Sequence, residues 1–288
     1  MDLRHGVLAP GRLRSHPSNL LQLVLAKGWS EMPAALPFSD HAVLVTGGGR
    51  GLGAHIVRAV ASQGARVVIN YRNSGDAAQA LAESIGTAAL AVCADVTDRE
   101  AVEAMFAEAA AHFGTPVSAV VNNALPDYSF NGEARSHADV LSWDELEGQL
   151  HGIVGGALNT MQAALPGMRS IGGGRIVNIG TNLVQNPIVP YHDYTSAKSA
   201  LLALTRTLSH DLGPDGITVN MVSGGLLRTT DASAATPDEV FDMIAASTPL
   251  RSVTTPAEFA DAVLFFLSPW SRAVTGQNLI VDGGLVKN

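Results

Sequence analysis

Eleven residues, Val43 to Gly53, read VLVTGGGRGLG, and they restrict the architecture more than any other stretch of the chain. An apolar run, Ala42 to Val45, enters a turn crowded with Gly47, Gly48, Gly49, Gly51 and Gly53. Beyond it Leu52, Ile56, Val57 and Val60 recur at helical spacing. A strand passing through a turn nearly bare of Cβ atoms into a helix brings backbone N–H groups to the helix N-terminus, where the dipole favours an anion. After Gly64, Arg66 to Asn70 supplies a second strand and closes a β-α-β unit. Glycine-rich turns also make tight bends that bind nothing, so this reading needs the rest of the chain to supply a nucleotide-binding sheet.

Strand-like and helical patterns alternate from Ala42 onward. Strands are expected at 42–46, 66–70, 89–94, 117–122, 174–180, 217–222 and 278–282, and helices near 51–63, 76–85, 99–113, 142–169, 192–212 and 256–267. Short continuous apolar strands separated by helices imply a parallel sheet covered on both faces. The fold class is therefore α/β, a single doubly wound parallel sheet of about seven strands with helices on both faces. Two stretches break the rhythm: Leu125 to Asp139, and Leu226 to Thr255 with a helical patch near Pro237 to Ala246. Both follow C-terminal strand ends, the edge where ligands sit in open α/β sheets, and both are candidate lids.

At 288 residues, 47% of them hydrophobic and 15% charged, the chain can bury one large core, and one domain is expected over residues 41–288. Residues 1–40 differ in character. No acidic residue lies between Asp2 and Glu31, while Arg4, Arg12, Arg14 and Lys27 are basic. The apolar segment Leu20 to Ala26 is short for a targeting core and contains Gln22, so an atypical leader or flexible extension is expected. A formal charge of −8 gives no electrostatic reason to bind nucleic acid or an anionic membrane. No apolar run approaches the ~20 residues of a spanning helix. Cys93 is the sole cysteine, which suits a reducing cytoplasm. The nine histidines show neither HExxH nor pairing with cysteine, so no metal is expected, and no GxSxG elbow marks a hydrolase.

Chemistry enters with Tyr194-Thr195-Ser196-Ala197-Lys198. Residues four apart share a helix face, so the phenol and the ammonium group project toward one space. A free tyrosine titrates near pH ~10, and a neighbouring cation favours its phenolate. Tyr194 is then a candidate proton donor to a carbonyl oxygen receiving hydride, or a base for the reverse reaction. At the end of the second strand, Asn70-Tyr71-Arg72 carries no acid to repel a 2′-phosphate, and Arg50 in the glycine turn is a second cation. Arginine bonds phosphate strongly, which favours NADP(H) over NAD.

Four pieces stand in one order: Thr46-Gly47 with Gly51 and Gly53, Asn122-Asn123-Ala124, Tyr194 with Lys198, and Thr275 to Gly284. This pattern resembles the short-chain dehydrogenase/reductase family over residues 41 to 288, closest in look to its 3-oxoacyl-(acyl-carrier-protein) reductases, and implies a Rossmann-like fold. The resemblance implies cofactor contacts at Gly47, Gly49, Arg50, Gly51, Leu52, Gly53, Asn70, Tyr71, Arg72, Asp95, Val96, Asn123, Ala124, Gly225 and Thr229. Lys198 would hold the nicotinamide ribose, and Thr181, thirteen residues before Tyr194 where the family has serine, would bond the substrate carbonyl, with Asn182 as fallback.

Three departures stand out. Leu125 replaces the glycine that usually follows the asparagine pair. Near Ile153, where the family often has a helix asparagine feeding a proton relay, none occurs until Asn159, and Gly224-Gly225 replaces Pro-Gly. The implied function is hydride transfer between a nicotinamide and a carbonyl or secondary alcohol, with a 3-oxoacyl thioester among the candidate substrates. The alternative, motivated by the missing helix asparagine, Thr181 and Gly224, is a nucleotide-binding scaffold or regulatory protein with weak or no catalysis. The stripe Ala200, Leu201, Leu204 and Leu208 and the long helix near 142–169 offer two apolar faces that the core alone would satisfy, and the resemblance implies that one of them builds a homotetramer or homodimer.

Overall fold

The computed structural model describes residues 37–125, 128, 130, 135–228, 230, 233–234 and 236–287. The expected leader, apart from its last four residues, and Thr229 lie outside them. Seven strands, β1 (Ala42–Val45), β2 (Arg66–Tyr71), β3 (Ala89–Cys93), β4 (Ala119–Asn122), β5 (Gly174–Thr181), β6 (Ile217–Gly224) and β7 (Asn278–Val281), form one parallel sheet in the order β3-β2-β1-β4-β5-β6-β7. The order reverses between β1 and β4. Successive crossovers there leave toward opposite faces, opening a crevice at the strand ends.

One face is covered by α1 (Gly51–Ser62), α2 (Gly75–Ile85) and α8 (Pro256–Leu267), the other by α3 (Arg99–Phe113), α5 (Gly156–Ser170) and α6 (His192–Leu212). Alternate residues of each strand feed the two cores: Val43 and Val45 pack toward α1, Leu44 toward α6. Local chemistry sets the helix ends. The Asp98 side chain accepts from the N–H groups of Glu100 and Ala101 to start α3, which stops at Gly114 in the left-handed region. Capping boxes open α4 (Trp143–Gln149) through Ser142 and Glu145, and α8 through Thr255 and Glu258.

The long helix expected over 142–169 is broken. Between α4 and α5 the backbone widens into a π turn, Leu150–Gly155. Gly148, Gly152, Gly155 and Gly156 weaken the α register there, so a shift to i→i+5 bonding costs little. The helical patch expected near 237–246 is α7 (Asp238–Ser247). Among the described residues, no helix is long and apolar enough to cross a membrane.

Phe259 on α8 is 1% exposed within the core that faces α1. Phe259→Ala is expected to cost about 3–5 kcal/mol, read as a lowered urea midpoint at unchanged slope. A loss under about 1 kcal/mol would show that this core closes over the cavity.

Candidate active site

The glycine turn is held from beneath. The N–H of Gly47 donates to Asn70 Oδ1 at 3.2 Å, that of Gly48 to the Asn70 carbonyl at 2.8 Å, and Asn70 Nδ2 donates to the Ala94 carbonyl at 2.9 Å. The side chain of Asn70, read from sequence as a cofactor contact, is thus buried and spent on tying the turn to the end of β3. Gly47 takes φ +60, and a Cβ on Gly53 would lie 2.2 Å from the Gly47 carbonyl oxygen. Only bare backbone allows so tight a return, and it leaves the first turn of α1 beside a surface that an anionic group can approach. Gly51 and Leu52 open α1, Gly49 packs on Ser74 and Ala78, and Arg50 is exposed at the rim.

Across the crevice, the Thr46 hydroxyl accepts from the N–H groups of Asn123 and Ala124, both at 2.9 Å, and Asn123 Nδ2 donates to the Thr46 carbonyl at 2.8 Å. Asn123 and Ala124 therefore sit beside Gly47. Thr46 was not among the expected site residues, although the TG pair preceding the turn was the available signal. Behind it runs a buried polar line. Thr160 on α5 donates to Asn122, Asn122 to Asn178 on β5, and Asn178 to Thr205 on α6, at 2.6, 2.8 and 2.9 Å. Nothing in local sequence pairs these four.

Tyr194 and Lys198 lie on the first turns of α6, buried, and Thr181 ends β5 beside them. The Thr181 hydroxyl accepts from the N–H of Leu183 at 3.3 Å and lies near enough to the Tyr194 phenol to draw its pKa down. Lys198 Nζ donates to the Ile179 carbonyl at 2.6 Å and lies 5.7 Å from the Tyr194 ring centroid. Burial pushes the phenol up to about 12, against the pull of the Thr181 bond, and burial pushes Lys198 down to about 8. The spacing predicts a lysine that makes the tyrosine more acidic. In the structure desolvation outweighs that effect, and both groups lean toward their neutral forms.

At the nucleotide end, Tyr71 closes β2 and Arg72 Nη1 meets Asp95 Oδ2 at 3.4 Å. Burial raises the Asp95 pKa, but bonds from Thr97 and Arg72 outweigh it and leave the carboxyl below its usual range. Val96 packs on Gly156. Asn159 donates to the Val96 and Thr97 carbonyls at 2.9 and 3.2 Å, so it braces this turn rather than approaching Lys198. Ile153 sits instead in the π turn, where Gly152, Ile153 and Gly156 line a cavity of about 10 Å³ with Lys198, Thr46 and Asn122. Gly225 lies against Asn182 and Asp282, and Asn182 donates to Asp282 at 3.0 Å, so the fallback amide is already engaged. No group of three or more metal-ligating side chains exists among the described residues.

A family model described as enoyl-(acyl carrier protein) reductase matches residues 47–286. The chain is 31% identical over 252 residues to the 3-oxoacyl-(acyl-carrier-protein) reductase FabG of Staphylococcus aureus, covering 84% of this chain and 96% of that one. It is 36% identical over 261 residues to the L-rhamnose 1-dehydrogenase (NAD(P)(+)) of Azotobacter vinelandii, covering 86% and 98%. A solved double mutant of a Serratia marcescens short-chain dehydrogenase/reductase superposes with a TM-score of 0.76 at 33% identity, over 87% of this chain and 99% of that one. The chain belongs to the short-chain dehydrogenase/reductase family.

Enzymes of this oxidoreductase family use a nicotinamide cofactor. The Gly47–Gly53 cradle fits one, because a side chain at Gly53 would collide with the turn that an anionic group would rest on. Within the family frame, Tyr128, Arg135 and Asp193 escaped the sequence reading altogether. They meet over Tyr194, and burial together with the Asp193 carboxylate raises the Tyr128 pKa. Asp193 borders the Tyr-Lys motif, but its partners come from residues some sixty positions away.

The cradle carries a prediction. Gly53→Ala is expected to weaken dinucleotide binding at least about tenfold by fluorescence titration, with the far-ultraviolet circular dichroism retained. Unchanged affinity would mean the dinucleotide does not rest on this turn.

Proposed function

We propose that the protein is an NADP-dependent carbonyl reductase, also able to oxidise secondary alcohols, with residues 41–288 as its catalytic domain. The observation that carries this reading is the buried Tyr194 phenol with Lys198 one helical turn on and Thr181 beside it, at the sheet edge that also presents the glycine turn. The bound cofactor would supply or accept the hydride, and the chain's own groups would handle the proton. With its pKa pushed up to about 12, Tyr194 holds its proton at neutral pH and is set to give it to a carbonyl oxygen. Thr181 would orient that oxygen, and Lys198 would bond the nicotinamide ribose.

The choice of NADP follows from charge. Arg72 and Asp95 are 40% and 35% exposed, and a pair so solvated is worth little. The guanidinium can therefore turn to a 2′-phosphate, where bidentate bonding is stronger, and Arg50 adds a second cation at the same rim. A small free carbonyl fits better than a carrier-borne thioester. An acidic carrier needs a basic landing patch, but the end of α6 presents Asp211, and Arg169 nearby is engaged with Asp215 at 2.7 Å. The stripe Leu201, Leu204 and Leu208 packs into the core, whereas Trp143 and Trp270 are 66% and 82% exposed. Exposed aromatics of this size favour a homo-oligomer, tetramer or dimer, and the single exposed Cys93 suits the cytoplasm.

Tyr194→Phe is expected to lower kcat by about 10²–10⁴-fold while NADPH binding persists, measured as NADPH consumption over a panel of carbonyls. Turnover at the parent rate would remove the phenol from the mechanism, and binding without turnover by the parent protein would favour the scaffold alternative. The pH dependence has a definite sign. Reduction needs the protonated phenol and should stay level from about pH 6 to 8, whereas oxidation needs the phenolate and should rise with pH toward the alkaline side. An oxidation optimum near neutrality would point to another base. Arg72→Glu should shift the NADPH-to-NADH ratio of kcat/KM at least about tenfold toward NADH. An unmoved ratio would sink the assignment of NADP to this corner.

A further inference from the structure

Three parallel strands end side by side at the edge that carries the candidate site. Thr181 of β5 is in register with Gly224 of β6, and Gly224 with Val281 of β7. The residues that follow, Asn182, Gly225 and Asp282, continue that row, and the outer two join across the middle one. Asn182 Nδ2 donates to Asp282 Oδ2 at 3.0 Å, and both residues are buried, at 5% and 6% exposure. A Cβ on Gly225 would lie 2.9 Å from that nitrogen and 3.4 Å from the Asp282 Cβ, so the bond needs a residue without a side chain between its partners.

The rest of the Asp282 carboxylate is taken up by the chain that follows it. Oδ1 accepts the Gly284 N–H at 3.0 Å, and Oδ2 also accepts the Val286 N–H at 3.1 Å. Among the described residues no lysine, arginine or histidine pairs with this carboxylate. Three N–H donors hold a buried charge, and bonds to a charged acceptor are the strong ones. The tail so fixed is a seat for the chain returning from α7. The Leu250 N–H donates to the Gly283 carbonyl at 3.2 Å. Gly283, at φ +73, faces Ser252 and Thr248, and Gly284, at φ +82, faces Pro249, where a Cβ would lie 3.0 Å from the proline ring. On the other side the Asn182 carbonyl accepts the N–H groups of Gln185 and Asn186 at 3.0 and 2.9 Å, which closes the turn after Thr181. One carboxylate therefore lies between the turn that follows Thr181 and the segment 248–252 that leads out of α7.

We infer that Asp282 is a positioning residue for the proposed reaction: through Asn182 it sets the Thr181 hydroxyl against Tyr194, and through Gly283 it seats the segment 248–252. The inference rests on the reductase reading, in which Thr181 orients the carbonyl, and deepens it by assigning the group that orients Thr181. The reason for an acid at this position is the count of acceptors. Three donors converge on two oxygens, whereas an asparagine brings one oxygen and two further N–H bonds. In Asp282→Asn at least one donor then faces another donor inside the protein, and the penalty for an unmatched buried group falls on this row.

Hydrogen–deuterium exchange on the full chain, read by mass spectrometry, tests the linkage without turnover. Asp282→Asn should speed exchange at the Leu250, Gln185 and Asn186 amides at least about tenfold, with the β1 amides unchanged. Unchanged exchange at Leu250, or at Gln185 and Asn186, overturns the linkage. Should that variant fail to fold, Asn182→Ala keeps the carboxylate and its tail donors. It should still speed Gln185 and Asn186 and leave Leu250 at the parent rate, and parent rates at all three would again overturn the linkage. Kinetics test the positioning, on a carbonyl that the parent reduces. Asp282→Asn should lower kcat about tenfold with the KM for NADPH within about twofold of the parent, because the cradle at Gly47 is untouched. The reciprocal exchange, Asn182→Asp with Asp282→Asn, rebuilds one amide-to-carboxylate bond across Gly225 and should return kcat to within about threefold of the parent. Equal losses in the single and double variants would show a merely structural role and overturn the positioning claim. If the parent binds NADPH yet reduces no carbonyl, the reductase reading fails and the positioning claim with it, while exchange still decides whether Asp282 holds both segments.

Discussion

One hydroxyl, that of Thr46, holds together the place where the sheet divides. Where β1 and β4 part, the chain turns to opposite faces, and the ladder between the two strand ends closes on the Thr46 N–H, which donates to the Val121 carbonyl at 3.0 Å. Thr46 Oγ1 accepts the N–H groups of Asn123 and Ala124 and donates to the Val121 carbonyl at 3.3 Å, so one small side chain reaches three backbone groups and reinforces the bonds that the Thr46 and Asn123 N–H groups make to that carbonyl. Each such group left unpaired in a buried position would cost about 1–3 kcal/mol. The Asn123 amide then reaches back to the Thr46 and Gly47 carbonyls, which fixes the glycine turn relative to β4. The crevice consequently has a defined width before any ligand arrives, and the distance from the turn to Lys198 is set by the sheet.

The same economy governs the other wall. α6 carries Tyr194 and Lys198, and polar bonds attach it to β5 at two levels: Lys198 to the Ile179 carbonyl, and Asn178 to Thr205. These bonds lie in a region of low dielectric, where a satisfied network is rigid and an unsatisfied one is severely penalised. The price of this rigidity is desolvation of both ionisable groups. Tyr194 is held protonated and Lys198 is drawn toward neutrality because the rings of Tyr128, Phe130 and Tyr191 and the floor of the sheet exclude water from them.

What could be read beforehand depended on whether the signal was local. The seven strands and most helices followed from apolar runs and 3.6-residue recurrence, because each element declares its buried face through its own residues. The glycine turn and the Tyr-Lys spacing were equally plain, since both depend on neighbours within a few positions. Long-range partners were not. Asn70 looks like a ligand contact at the end of a strand, and only the placement of β3 shows that its amide is needed by Ala94. The π turn at Leu150–Gly155 shifts the helix register, so counting from either flanking motif misplaces whatever lies between. Arg135 and Asp193 are unremarkable until the topology sets one above the other.

The threonine that stands where serine is usual can be weighed from the surroundings of its hydroxyl. A hydroxyl has one proton to donate and two lone pairs. The Leu183 N–H occupies one lone pair of Thr181, and the same hydroxyl draws the Tyr194 pKa down, the direction that stabilises the phenolate. The β-methyl restricts χ1, so the group has few alternative rotamers through which to lose that orientation. Lys198, by contrast, sits 5.7 Å from the ring and gives its closest hydrogen bond to Ile179. In this arrangement the pull on the phenol comes from Thr181, while the lysine ties the helix to the sheet. On the reading proposed above, the substitution would leave the chemistry in place and narrow the poses in which a carbonyl can share that hydroxyl.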